Sequence, residues 1–303
     1  MKKISILILL FNSIINCFCQ PIYNFNHTGI EKFKQQDYIG AISYYNKALA
    51  IDSTFAESYN NRGSAKLMLH DQKGAMSDFN QAIYFNPKHG TAYYNRGALK
   101  QFNKDLTGAI KDFTKATDID SKNIEAYFYR GNAKGALGDF RGAITDYTLV
   151  IEINPQYENV YSNRGLSKYE LNDYSGSVSD FTKAIEFNSM NEEAYFNRGN
   201  SKSALQDFRG AIADYSKGIE INPLNSKAYI NRGASKNQLQ DYNGAIVDFT
   251  KAIEINPRLS EPYFNRGVAK LSLGKKDCGC LDLSKAGELG YTNAYDVIKE
   301  YCQ

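Results

Sequence analysis

Seven arginines, each followed by glycine, recur at one interval: Arg62, Arg96, Arg130, Arg164, Arg198, Arg232 and Arg266 stand 34 residues apart. Sixteen residues after each comes an aspartate: Asp78, Asp112, Asp146, Asp180, Asp214, Asp248 and Asp282. A guanidinium and a carboxylate can pair through two parallel hydrogen bonds, and a row of guanidinium groups could instead receive an acidic ligand. The pairing reading is the expectation here, with each couple half-buried inside a hairpin or across the joint to the next. A second row, Lys32, Lys66, Lys100, Lys134, Lys168, Lys202, Lys236 and Lys270, could attract phosphate or an acidic peptide. The blander expectation lays the lysine stems on the core and leaves the ammonium groups in water. Catalytic chemistry finds little to stand on. His27, His70 and His89 are the only histidines, all in the N-terminal third. No HExxH motif, Gly-rich phosphate loop or nucleophile–base pattern occurs. The chain is therefore expected to be no enzyme, with no cofactor, no metal and no small-molecule substrate.

The elements that position these rows follow from the same period. Units begin at Ile22, Ala56, Gly90, Ile124, Glu158, Glu192, Ser226 and Ser260, the first being a degenerate copy with Thr28-Gly29 in place of Arg-Gly. In the unit at Glu192, Tyr195, Gly199, Lys202 and Leu205 recur three or four apart, the spacing of one helix face. Asp207 can cap a second helix by accepting from exposed backbone amides. Ala211, Ile212, Tyr215, Gly218 and Ile219 mark that helix's buried side. Asn222-Pro223 ends it, because proline has no amide hydrogen and restricts its predecessor. Each unit thus reads as a helix–turn–helix hairpin. Glycine inside a helix costs roughly 1 kcal/mol against alanine, so its recurrence beside each arginine implies a close helix approach. Aromatic residues fill the space around it, Phe79, Phe113, Tyr147, Phe181, Tyr215 and Phe249 among them.

The pattern aromatic-x-x-Arg-Gly, then Ala-x-x-x-Phe/Tyr-x-x-Ala and a closing Asn-Pro, repeated in phase, resembles the tetratricopeptide-repeat (TPR) family, as does the 34-residue period. It departs from the family in carrying Tyr where Trp is common and Arg where an apolar residue is usual. The resemblance implies an all-α, alpha-alpha superhelix of eight units, 22–55, 56–89, 90–123, 124–157, 158–191, 192–225, 226–259 and 260–290, closed by a capping helix over 291–303. It also implies a concave face lined by first helices that binds protein or peptide. Carried onto this sequence, the family's contact positions are Asn61, Asn95, Asn163, Asn197, Asn231 and Asn265, a row broken by Tyr129. Beside them stand Tyr94, Phe128, Phe196 and Phe264, with Asn132 and Asn200 further along the helix. Amides can bond an extended peptide backbone whatever its side chains, although the same asparagines could equally satisfy neighbouring helices. Members that bind the carboxylate tails of heat-shock chaperones use a lysine clamp. Here no fifth position carries lysine and only Lys227 occupies a second position, so that ligand class is not expected.

The ends carry separate signals. Lys2 and Lys3 precede an apolar run from Ile4 to Phe18, with small Cys17 and Cys19 before Gln20, the order of a secretory signal peptide over 1–19. Export to the periplasm, envelope or outside is expected, with a lipoprotein acylated on Cys17 and an uncleaved anchor as alternatives. After that leader three cysteines remain. Cys280 takes the position of Ile212 and Ile246, facing the next element, so a Cys280–Cys302 disulfide is expected, with Cys278 free. Charge is nearly balanced, 36 Lys+Arg against 33 Asp+Glu, which gives no electrostatic reason to expect nucleic acid. The function expected is a scaffold or adaptor for a protein or peptide. The alternative is a chaperone-like or structural factor in envelope assembly or secretion.

Overall fold

The computed structural model describes residues 20–302. The expected signal peptide, 1–19, lies outside the described residues. Helices account for nearly all of the rest, and no strand occurs among the described residues. The chain divides into two compact units at Asn154 and Pro155. The first holds α1 (20–34), α2 (Tyr38–Ile51), α3 (Ala56–Met68), α4 (Gln72–Phe85), α5 (Gly90–Phe102), α6 (Leu106–Ile119), α7 (Ile124–Ala136) and α8 (Phe140–Ile153). The second holds α9 (Glu158–Glu170), α10 (Tyr174–Phe187), α11 (Glu192–Ala204), α12 (Phe208–Ile221), α13 (Ser226–Gln238), α14 (Tyr242–Ile255), α15 (Ser260–Ser272), α16 (Lys276–Glu288) and α17 (Ala294–Tyr301). The terminal helix is shorter than the expected 291–303, because Tyr291 to Asn293 form the turn that re-enters it.

Local chemistry starts and stops each helix where the repeat requires. Asp37, Asp71, Asp105, Asp139, Asp173, Asp207 and Asp241 each cap a second helix by accepting from the amide three residues on, at 2.9 Å. That bond satisfies one of the four orphan amides of a helix start. First helices are capped less uniformly. Asn123, Asn191 and Asn225 do it with side-chain carbonyls, and His89 does it with Nδ1, 3.2 Å from the Ala92 amide. Burial holds His89 below the usual histidine range, which keeps that nitrogen an acceptor.

Packing explains the small residues. A Cβ on Gly63 would sit 2.7 Å from the Phe79 ring, and one on Gly199 the same distance from Tyr215. Helix pairs close to that degree only where no side chain intervenes. Ala41, Ala75, Ala109, Ala143, Ala211 and Ala245 are fully buried opposite them. Each second helix also packs on the first helix of the following hairpin: α4 on α5 and α6 on α7 in the first unit, α10 on α11, α12 on α13 and α14 on α15 in the second. Successive first helices also approach one another, α3 with α5 and α5 with α7, then α9, α11, α13 and α15 in order, whereas successive second helices make no comparable approach. Each unit therefore bends towards its first helices, which line the inside of the bend.

The turn inside each hairpin carries a local cost. Gln36, His70, Lys104, Asn172, Gln206 and Gln240 all have φ near +61 to +66°, where Gly138 and Gly274 stand in two other repeats. Left-handed backbone is unfavourable for a residue with a Cβ by about 1 kcal/mol or more. Lys104→Gly and Gln206→Gly are therefore each expected to raise stability by roughly 0.5–1 kcal/mol, after the extra freedom glycine gives the unfolded chain. Chemical denaturation of the single and double variants checks this. Unchanged or lower midpoints would show that the side chains hold the turn.

Candidate functional site

Each arginine reaches its aspartate through both Nε and Nη2. In the hairpin of α11 and α12, Arg198 lies 2.9 and 2.6 Å from the two Asp214 oxygens. The other six hairpins repeat the geometry, with Nη2–Oδ1 distances of 2.6 to 2.8 Å. All of these couples lie within one hairpin, not across a joint. The lysine row is a correction to the sequence reading. Lys66, Lys100, Lys134, Lys168, Lys202, Lys236 and Lys270 bring Nζ to 2.7 or 2.8 Å from the same carboxylates. The ammonium groups are held on buried acid, not left in water. Arginine and lysine stand four apart on one helix face, so one carboxylate serves both.

The remaining arginine nitrogen, Nη1, reaches residues that sequence reasoning missed. It donates to Asn46 and Asn80 from Arg62 and Arg96, and to Thr114 from Arg130. In the second unit it donates to Thr182, Ser216 and Thr250 from Arg198, Arg232 and Arg266. These acceptors lie on the second helix of the preceding repeat, directly after the core ring; Arg130 Nη1 adds Thr117, one turn further on, at 3.0 Å. A small polar residue recurring directly after that ring was the available signal. The guanidinium also lies 5.2 Å over the Tyr59 ring in Arg62, and similarly over Tyr195 and Tyr229 in later repeats. Each of these six arginines thus ties three helices together, and no acidic ligand has a free row to address.

On the inside of each bend the expected contact residues divide. Phe128 is 8 % exposed and packs on Tyr147 at 6.1 Å, so it belongs to the core and is corrected as a partner contact. Its neighbour Tyr129, the break in the asparagine row, is the exposed ring instead, 6.0 Å from Tyr94. Asn61 donates to Asn26 at 3.2 Å and Asn95 to Asn60 at 2.9 Å. In the second unit Asn231 donates to Asn200 at 2.8 Å. Those amides join neighbouring first helices. Asn132 and Asn200 accept from the phenols of Tyr147 and Tyr215, both at 2.8 Å. Asn163 is half-buried. Asn197 and Asn265 are half-buried too, and their side chains make no hydrogen bond among the described residues. Phe196 leans on Tyr215 at 5.9 Å, and Phe264 stacks on Tyr291 at 4.4 Å.

At the C-terminal end Cys280 and Cys302 are joined across 5.8 Å between Cα atoms, and Cys278 is exposed and free. No group of His, Cys, Asp and Glu able to hold a metal ion occurs among the described residues.

Sequence profiles described as tetratricopeptide repeat match residues 56–89, 90–123, 124–157, 192–223 and 226–259, and one described as TPR repeat matches 29–69. Together they span well over half of the chain. The protein belongs to the tetratricopeptide-repeat family. The hairpins of α9 with α10 and α15 with α16, outside those matches, carry the same Arg–Asp–Lys geometry. No curated protein matches the sequence. Among solved structures, the C-terminal part of a TPR repeat-containing protein from Cytophaga hutchinsonii is similar, with 20 % identity, a TM-score of 0.64, and 79 % of this chain and 98 % of that one covered. A TPR protein from Parabacteroides merdae is similar at 22 % identity and TM-score 0.57, covering 81 % of this chain and 96 % of that one. YrrB, described as a TPR protein with an unusual peptide-binding site, is similar at 21 % identity and TM-score 0.57, covering 61 % and 95 %. At such identities the likeness speaks for the fold, a TPR array, and the family is one of protein-interaction modules.

Proposed function

We propose that the first-helix face binds an extended segment of a protein partner, and that the protein works outside the cytoplasm as a non-enzymatic scaffold. The observation that carries this reading is the chemistry left open on that face. In the first unit Tyr94 and Tyr129 present neighbouring rings; in the second, Asn197 and Asn265, each directly after a phenylalanine (Phe196 and Phe264), present amides with no side-chain hydrogen bond among the described residues. Rigid aromatic anchors beside amide donors suit peptide recognition. The peptide-binding site named for YrrB is in keeping with it. The Arg–Asp–Lys sets leave no charged row facing a ligand, so nucleic acid and acidic tails are not the partners proposed. The leader-like composition of 1–19 and the Cys280–Cys302 bond support export, since disulfides persist in oxidising compartments.

A photo-crosslinking amino acid placed at Tyr129, and as a control at Tyr84, which is 76 % exposed on a second helix, tests the site in cells. One dominant adduct from position 129, absent from position 84 and lost in Tyr94→Ala, whose ring stands 6.0 Å from Tyr129 in the same unit, is expected. Equal labelling from both faces would remove the proposed site. A broad ladder of weak adducts from position 129 would point to the chaperone-like reading instead.

A further inference from the structure

One core position, the twenty-fourth of a repeat, distinguishes the repeats in an informative way. It holds Phe79, Phe113, Phe181 and Phe249 in four of them, so packing there requires no hydroxyl. Tyr147 and Tyr215 do carry one, and each donates it to the asparagine of its own repeat, Asn132 or Asn200, at 2.8 Å. Tyr45 carries one as well, but Ile30 stands where those asparagines would be. Its side chain is 1 % exposed, and its phenol makes no hydrogen bond among the described residues. Burial pushes its pKa to about 12, so the group remains an O–H donor at any physiological pH. The phenol oxygen is not among the fully enclosed unpaired atoms; it reaches the pocket that Tyr45 lines, so a molecule in that pocket can accept from it.

The phenol opens on a pocket of about 330 Å³ walled by Ile30 and Phe33 of α1, Asn60 and Ser64 of α3, and Asn95 of α5. The Asn95 amide nitrogen bonds Asn60 Oδ1 at 2.9 Å and Ser64 Oγ at 3.4 Å, which leaves its carbonyl oxygen available. No charged residue lines the pocket. A carboxylate or ammonium entering it would lose hydration with no counter-ion in return. The similar pocket of the second unit, about 310 Å³ over Tyr215, is already satisfied, because Tyr215 and Asn231 both donate to Asn200.

We propose that the Tyr45 pocket receives the uncharged side-chain carboxamide of a glutamine or asparagine on a partner peptide. Its carbonyl accepts from Tyr45, its NH2 donates to the Asn95 carbonyl, and Ile30 and Phe33 cover its methylenes. This rests on the peptide-binding reading above and adds a side-chain preference to it.

A phage-displayed library of random dodecapeptides, selected on the immobilised protein, tests it. The enriched peptides should share Gln or Asn at one register position. Synthetic copies with Met or Glu at that position should bind more weakly. Tyr45→Phe, the side chain four other repeats use, should bind the Gln peptide roughly 3- to 10-fold more weakly, as expected for one lost neutral hydrogen bond, and should no longer tell Gln from Met. Ile30→Asn, which hands the phenol an internal acceptor, should do the same while the melting temperature holds. Peptides that bind without Gln or Asn preference, or equally well to Tyr45→Phe, overturn the carboxamide pocket and leave the peptide-binding face standing. A library from which nothing binds overturns both.

Discussion

Asp214→Ala is expected to destabilise the second unit by about 3–5 kcal/mol, the range for stripping one partner from a buried ion pair. Asp214 has a side chain 5 % exposed and faces two cations, Arg198 and Lys202, through charge-assisted bonds of 2.6 to 2.9 Å. Its removal leaves both cations half-buried beside an apolar core with no carboxylate, Arg198 keeping only its Thr182 bond. Arg198→Met should cost less, roughly 1–3 kcal/mol, because Lys202 still neutralises the carboxylate and the methionine stem replaces the lost packing. Lys202→Met should cost least, since its side chain is 21 % exposed and Arg198 alone satisfies the acid bidentately. The order Asp, then Arg, then Lys is the diagnostic result, read from denaturant midpoints followed by circular dichroism. Three equal losses below 1 kcal/mol would mean that solvent already screens these groups. Arg198 has a second effect that Lys202 lacks. Its Nη1 bond to Thr182 joins repeats, so Arg198→Met should also broaden the transition as neighbouring repeats uncouple.

The first repeat shows what the array looks like without this device. Thr28 and Tyr44 occupy the arginine and aspartate positions, and Lys32 turns instead to the capping Asp37 at 3.3 Å. Both members of that bridge are more than one-third exposed, so it contributes little. Backbone burial and the Tyr45 ring against Gly29 hold this hairpin, which is also the one whose pocket stays open. Loss of the ion set and gain of an unsatisfied phenol fall in the same repeat, at the end of the first-helix face.

Much of this was legible in the sequence, for reasons that can be traced. The 34-residue period is visible because close helix approach tolerates only glycine at Gly63 or Gly199 and only a small residue at Ala75 or Ala211, where Ser177 and Gly279 stand in other repeats, so those positions drift little. Asp207 is recognisable as a cap because the helix start needs a side-chain acceptor there. The role of the lysines was harder to see. A row of lysines looks alike whether the ammonium is solvated or bound, and the choice depends on how far the second helix carries Asp214 towards Lys202. Phe128 and Tyr129 show a similar limit. They are adjacent, and which of two neighbours on a helix faces the core depends on its tilt over Tyr147, a few tens of degrees that periodicity does not resolve. The asparagine row divides for the same reason: Asn231 meets Asn200 because that residue sits one turn further along the preceding helix, while the Asn197 side chain makes no hydrogen bond among the described residues.

Reduction of the Cys280–Cys302 bond, or Cys302→Ala, is expected to release α17. Eight residues are too few for a helix to persist alone in water. α17 holds by docking: Ala294, Val297 and Ile298 lie against Leu283 and Ala286, and the Tyr295 ring covers Gly287. That apolar contact is small. The disulfide closes a segment of 22 residues, and limiting the freedom of the released end adds roughly 3 kcal/mol to the cost of undocking. Amide exchange over 291–302 should therefore accelerate about a hundredfold on reduction, while α9 to α14 remain protected, since each repeat leans only on its neighbours. Alkylation under native, non-reducing conditions should modify Cys278 and spare Cys280 and Cys302. The consequence reaches the binding face, because Tyr291 leads into α17 and stacks on Phe264, one of the first-helix aromatics. Undocking uncovers Phe264 together with Leu283 and Ala286, and the reduced protein should self-associate where the oxidised one stays monodisperse. If exchange over 291–302 is the same with and without reductant, packing alone holds the cap and the disulfide serves some other end.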